Sequence, residues 1–119
     1  MPRFVILEHD HPFLHWDLML EAGSVLRTWR LAALPRCNEA IVATAVFDHR
    51  WLYLDYEGPI HGGRGQVVRW ESGTYEGQVQ GEEEIVVHLA GQHLRGVFRL
   101  KHWGGDTWHS ELWPEEASS

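Results

Sequence analysis

The strongest constraint on the fold is the spacing of the breaks. Glycine, proline and polar clusters interrupt the chain so often that no stretch offers three turns of amphipathic helix. Between the breaks, short runs alternate or are rich in β-branched residues. From position 15, Trp16, Leu18 and Leu20 point one way, while His15, Asp17, Met19 and Glu21 point the other. A turn at 21–24 follows, and residues 25–31 return, predicting a β-hairpin. Further strands are expected at 4–7, 40–47, 51–56, 85–89, 94–101 and 107–113. A second hairpin is expected from 66–70 and 73–79 around Glu71-Ser72-Gly73. The pattern leaves room only for a short helical turn near Pro35 or Glu82. It implies a mainly β, compact antiparallel barrel-like domain over 1–113, with a polar, frayed tail at 114–119.

A chain of 119 residues is one domain by size. It can bury about two-thirds of its unfolded surface, enough for a core without disulfides. The single cysteine, Cys37, excludes an internal disulfide and a zinc ribbon built on paired CxxC motifs. No run approaches the length of a membrane span, and the N-terminus lacks the basic start and apolar run of a leader, so a cytoplasmic protein with no membrane partner is expected. The formal charge is -7, with Lys101 the sole lysine. That balance argues against wrapping nucleic acid by bulk electrostatics. It leaves small phosphate esters, metal-bridged phosphates and nucleic-acid ends as ligands.

Nine histidines stand out, and their placement matters more than their number. His15 and Asp17 are two apart in a predicted strand, so they share a face at roughly 7 Å backbone separation. His9 lies across a tight connection containing Pro12 and can complete a group of two imidazoles and a carboxylate. That set suits Zn²⁺, Mn²⁺ or Fe²⁺ and leaves positions for water or phosphate oxygen. The competing reading is a structural β domain whose histidines are incidental. His11 is an additional candidate that Pro12 can turn outward. His49 and Tyr53, four apart, form a second pair suited to proton donation and phosphate contact beside a metal. The loop 61–65 is neither a Walker A sequence nor a dinucleotide fingerprint, but its backbone and Arg64 can hold an anion. Trp16, Trp29, Trp51 and Trp70 are expected in the core.

The run RFVILEHD at 3–10, followed by LHWDLMLE at 14–21, resembles the 3′-phosphoesterase domain of bacterial DNA ligase D. The likeness continues at Asp48-His49, at Tyr53, at YEGPI (56–60), at GQVVRWESGTY (65–75) and at LRGVFRL (94–100). The resemblance implies a β-barrel-like fold and a divalent-metal phosphoesterase, typically with Mn²⁺, though Zn²⁺ also suits the ligands. Such domains trim a 3′-terminal ribonucleotide and remove the remaining 3′-phosphate, so the implied partner is a nucleic-acid 3′ end, with separate ligase or repair proteins acting beside it. His9, His15 and Asp17 match the metal ligands; His49 and Tyr53 match the catalytic histidine and tyrosine. Met19, Leu7 and Ile41 stand where the family carries arginine, glutamine and arginine. The metal half of the site is complete, while the phosphate-binding half is short of cations. Arg64 is a candidate substitute, and a catalytically weak metal- and phosphate-binding module is the alternative reading.

Overall fold

The structure, a computed structural model, describes residues 1–114. Nine strands form in chain order: β1 Arg3–His9, β2 His15–Ala22, β3 Val25–Leu31, β4 Ala40–His49, β5 Gly58–Pro59, β6 Gln66–Gly77, β7 Glu84–Gly91, β8 Arg95–Gly104 and β9 Thr107–Pro114. Eight of them close into an antiparallel barrel ordered β1-β2-β3-β4-β9-β8-β7-β6, with β6 pairing back onto β1. The two-residue β5 sits outside this ring on β6. Closure leaves the eight strands no long unpaired edge. Among the described residues no helix is long and apolar enough to cross a membrane. The expected polar tail lies outside the described residues, apart from Pro114, which ends β9.

Alternation gives β1 and β2 two buried faces. The inward face contributes Phe4, Ile6, Leu18 and Leu20 to a cluster drawn from all eight barrel strands, with Trp29, Leu31, Leu89, Phe98, Leu100 and Trp108 among its members. Trp29 and Trp108 meet edge to face at 5.7 Å. The Arg27 guanidinium lies 4.8 Å from the Trp29 ring and donates to the carbonyls of Val79 and Gly81. Side chains fill the lumen, as expected for an eight-stranded barrel. The outward face carries Val5, Leu7, Met19 and Leu26. These pack beneath Leu54, Tyr53, Tyr56 and Ile60, supplied by the excursion between β4 and β6. This second, smaller core builds the wall of the site.

Three local expectations are corrected. Residues 51–56 are not a strand: Trp51–Leu54 form a 3₁₀ turn, with Tyr53 N–H donating to Arg50 and Asp55 N–H to Leu52. It is the one helical turn among the described residues, and none forms near Pro35 or Glu82. Trp51 is correspondingly outside the core, 46% exposed, and donates to the Gly23 carbonyl. Trp29 is fully buried, and Trp16 and Trp70 pack against the lumen cluster from partly buried positions.

The third correction is the second hairpin. Residues 66–77 form one twelve-residue strand, with a register shift against β1 between Ile6 and Leu7. Gly73 is not a turn residue there. A Cβ on it would lie 2.1 Å from the Ala90 carbonyl oxygen, so glycine permits the close approach of β7. Glu71, 2% exposed, accepts four backbone N–H bonds: from Ser72 and Gln92 at Oε1, and from His93 and Leu94 at Oε2, all between 2.6 and 2.9 Å. One carboxylate therefore ties the β7–β8 connection to the middle of β6.

Candidate metal centre and phosphate cleft

β1 ends at His9 and β2 begins at His15, and the hairpin register sets these two residues directly opposite each other, with Asp17 opposite Leu7. Opposed residues and residues two apart share a face, so all three side chains leave the barrel outward. Ligand atoms of His9, His15 and Asp17 lie within 4.8 Å of one another. Asp17 Oδ2 is 3.4 Å from His15 Nε2 and 4.0 Å from His9 Nδ1. His15 and Asp17 are buried, and His9 is half-buried. His11 lines the same cleft but stands outside this group, its ring 6.5 Å from that of His9.

The donor chemistry of the trio fits a transition metal. His15 Nδ1 donates to the Phe13 carbonyl at 2.8 Å, which leaves Nε2 with its lone pair toward Asp17. That Nε2 is buried and has no hydrogen-bond partner. His9 Nε2 sits 2.8 Å from the Arg64 carbonyl, which leaves Nδ1 turned to the carboxylate. A backbone carbonyl thus fixes the tautomer of each ring, the usual outer-shell arrangement around ligating histidines. A buried imidazole nitrogen without a partner is costly, and an ion between these three groups satisfies it.

The cleft in front of the trio has a volume of about 420 Å³, within the range of small-ligand sites. Its floor is apolar: Leu7, Met19, Val67 and Ile60. Met19 is 1% exposed, held in the second core by its outward strand position. Two of the three sequence departures, Leu7 and Met19, therefore line the cleft. Ile41 does not line it; it is buried, and β9 residue Ser110 donates to its carbonyl.

His49, the last residue of β4, and Tyr53, in the 3₁₀ turn, reach the cleft from the opposite wall. Their rings meet edge to face at 5.5 Å, so the pair converges although Tyr53 is not on a strand. His49 Nδ1 is 3.0 Å from the Phe47 carbonyl, which directs Nε2 outward from that bond. Burial pushes the His49 pKa below the usual 6.5, with the Asp17 charge opposing the shift in part. Phe47 stacks on the His49 ring at 4.8 Å and is 78% exposed, a flat apolar platform at the rim.

Arg64 reaches the cleft from the loop before β6. Asp10 accepts from Gln66 N–H at 2.8 Å, pinning that loop to the end of β1. Gly65 makes the contact possible: its φ is +73°, and a Cβ there would sit 2.1 Å from Asp10 Oδ1. Arg64 Nε donates to the His61 carbonyl, and Arg64 is part of the cleft lining. Arg30 and Arg50 also line the space, against Asp17 and Asp48. An acidic chain thus concentrates arginines in its cleft. Arg30 escaped the sequence reading because its place depends on cross-strand register rather than on any local motif.

The site can be compared with known proteins. A family model described as the DNA Ligase D 3′-phosphoesterase domain matches residues 7–102. The multifunctional non-homologous end joining DNA repair protein LigD of Mycobacterium tuberculosis H37Rv is 32% identical over 114 residues, covering 88% of this chain and 15% of that protein. The multifunctional non-homologous end joining protein LigD of Pseudomonas aeruginosa PAO1 is 35% identical over 110 residues, covering 82% and 13%. The corresponding protein of Mycolicibacterium smegmatis is 33% identical over 122 residues, covering 89% and 16%. The chain therefore spans a small fraction of the length of these relatives.

Proposed function

The chain belongs to the DNA ligase D 3′-phosphoesterase domain family, and from that membership we propose that it is a metal-dependent phosphoesterase acting on nucleic-acid 3′ ends. The observation that carries the reading is the convergence of His9, His15 and Asp17, with preset tautomers, beside an arginine-lined cleft that His9 and Asp17 enter. The proposed reaction is removal of a 3′-phosphate or a 3′-terminal ribonucleoside in DNA repair. The relatives' part in non-homologous end joining supports that setting.

His9, His15 and Asp17 would hold a divalent ion, proposed as Mn²⁺, with Zn²⁺ the alternative that the donor set accepts. Such an ion supplies Lewis-acid neutralisation of charge developing on phosphoryl oxygens. The chain's own residues do the rest. Tyr53 O–H can donate to a phosphoryl oxygen from the far wall. His49 Nδ1 is committed to the Phe47 carbonyl, so its Nε2 exchanges the proton: neutral, it accepts, and protonated, it donates to phosphate or to the leaving oxygen. The apolar floor excludes water behind the phosphate, and Phe47 offers its face to a terminal base.

A second reading, a metal- and phosphate-binding module with weak turnover, is favoured by one observation: β2 presents Met19 to the cleft where a cation would bind phosphate. The orphaned Nε2 of His15 argues against the third, a β domain with incidental histidines. The test is Mn²⁺-dependent release of phosphate, or of nucleoside, from a primer with a 3′-phosphate or a single 3′-ribonucleotide. Turnover that requires the ion and is lost in His15→Ala supports the proposal. Stoichiometric Mn²⁺ or Zn²⁺ binding without release of either product leaves the binding module. No metal binding at all leaves the structural domain.

A further inference from the structure

We propose that Arg30 is a phosphate-binding residue of this cleft, presented from β3 to grip the terminal phosphate of the substrate. The inference rests on the phosphoesterase reading and names a recognition residue within it. In the β2–β3 register Arg30 stands directly opposite Asp17, and Thr28 opposite Met19. Opposed residues share a face, so Arg30 rises from the outer surface beside the metal-ligating carboxylate. Its side chain lines the cleft.

Its chemistry is uncommitted. Arg3 pairs with Asp55, Arg99 with Glu84, Arg27 holds two carbonyls, and Arg64 Nε holds a third. Among the described residues Arg30 makes no such bond, and its Nε is buried with no partner. The guanidinium is instead positioned by a ring: Cζ lies 5.6 Å from the Phe13 centroid. The backbone carbonyl of the same Phe13 accepts from His15. One residue thus sets both the orientation of a metal ligand and the position of the cation. Trp29 Nε1 and Arg69 Nε are likewise buried without a partner, but of these donors only Arg30 belongs to the cleft lining, where a ligand can bring the acceptor. The planar fork of arginine fits two phosphate oxygens at once. Arg30 supplies from β3 the cation that Met19 withholds from β2.

The test compares wild type, Arg30→Gln and Arg30→Lys as full chains. The probes are a short DNA oligonucleotide ending in a 3′-phosphate and the same oligonucleotide ending in a 3′-hydroxyl. Binding is measured in EDTA and turnover with Mn²⁺. Wild type should prefer the phosphate end, and Arg30→Gln should reduce that preference about tenfold, the equivalent of one charge-assisted hydrogen bond. Arg30→Lys should fall between them, keeping charge but losing the fork. Mn²⁺ affinity, read by electron paramagnetic resonance, should not fall. A wild-type preference in Arg30→Gln with an unchanged circular-dichroism spectrum overturns the assignment and leaves the phosphoesterase reading intact. Should Arg30→Gln fold poorly, a full preference in Arg30→Lys overturns it in the same way. Equal weakening toward both ends also overturns it, because that marks bulk charge. Wild-type protein that binds Mn²⁺ but neither distinguishes the two ends nor releases phosphate overturns the Arg30 assignment and the 3′-phosphate half of the proposed function, and leaves ribonucleoside release to the test above.

Discussion

Replacing Glu71 with glutamine tests whether one carboxylate holds the barrel's β6–β7–β8 corner. The wild-type side chain accepts two N–H bonds at each oxygen. Glutamine keeps one acceptor oxygen but turns an NH₂ group toward the other two donors. With the carbonyl placed toward Ser72 and Gln92, the N–H groups of His93 and Leu94 face a donor. Flipping the amide only exchanges which pair is lost. Hydrogen bonds to a charged acceptor contribute about 1.5–3 kcal/mol each, so the loss is roughly 3–6 kcal/mol. Water cannot readily substitute, because Glu71 is 2% exposed. Against a typical stability of about 5–15 kcal/mol this is severe. At about 4 °C per kcal/mol for a chain of this size, Tm should fall by roughly 12–24 °C. Urea unfolding followed by tryptophan fluorescence measures it, with the m-value as a check on two-state behaviour. The folded fraction should keep its metal affinity, because the carboxylate's partners lie in β6 and the β7–β8 connection. A loss below about 1 kcal/mol, the size of one ordinary hydrogen bond, would refute the account.

Asp17→Asn should weaken Mn²⁺ binding by at least about 100-fold, the upper range for losing even an outer-shell partner; calorimetry giving unchanged affinity would remove Asp17 from the site. In metal-free protein the His49 ring should titrate below pH 6.5 by NMR, in the direction that burial sets. Because folding favours the neutral ring, its contribution to stability is present above pH 6.5 and lost as pH falls through the lowered pKa. Wild type should therefore lose stability relative to His49→Gln on acidification through that window, and parallel curves would contradict it. Tyr75, buried and donating to the Glu21 carbonyl, has its pKa pushed up to about 12. Its protonated form is favoured by folding, so stability should decline between pH 10 and 12, and Tyr75→Phe should abolish that decline in alkaline denaturation curves.

The sequence made the barrel legible wherever one strand face met an apolar core and the other did not. Residues 15–21 are the clearest case: even positions fill the lumen, and odd positions build the site. The same alternation misled at 51–56. There Leu54 is buried by tertiary contact with the second core, and the backbone closes a 3₁₀ turn that no local pattern distinguishes from a strand. Gly73 misled differently: glycine marks a turn locally, but here it answers to a neighbouring strand. The trio His9, His15 and Asp17 was readable because its members lie within one hairpin. Arg30 lies in the next hairpin, where no ligand pattern marks it, and only the pairing register sets it opposite Asp17.

The excursion that walls the cleft is fastened to the barrel at separate points, among them the Trp51 bond to the Gly23 carbonyl and the β5–β6 pairing. Arg3 clasps Asp55 at 2.7 Å near one end, while His9 and Asp10 hold Arg64 and Gln66 near the other. Between them lies a small apolar seam that the lumen core does not share. β1 and β2 are thus a party wall between two rooms, each with its own apolar filling. Local opening of the seam should therefore cost less than global unfolding. Amide exchange at 50–65 should therefore run faster than in the barrel strands. Changes to the cleft wall can likewise retune access to the cleft while the barrel that carries His9, His15 and Asp17 stays the same.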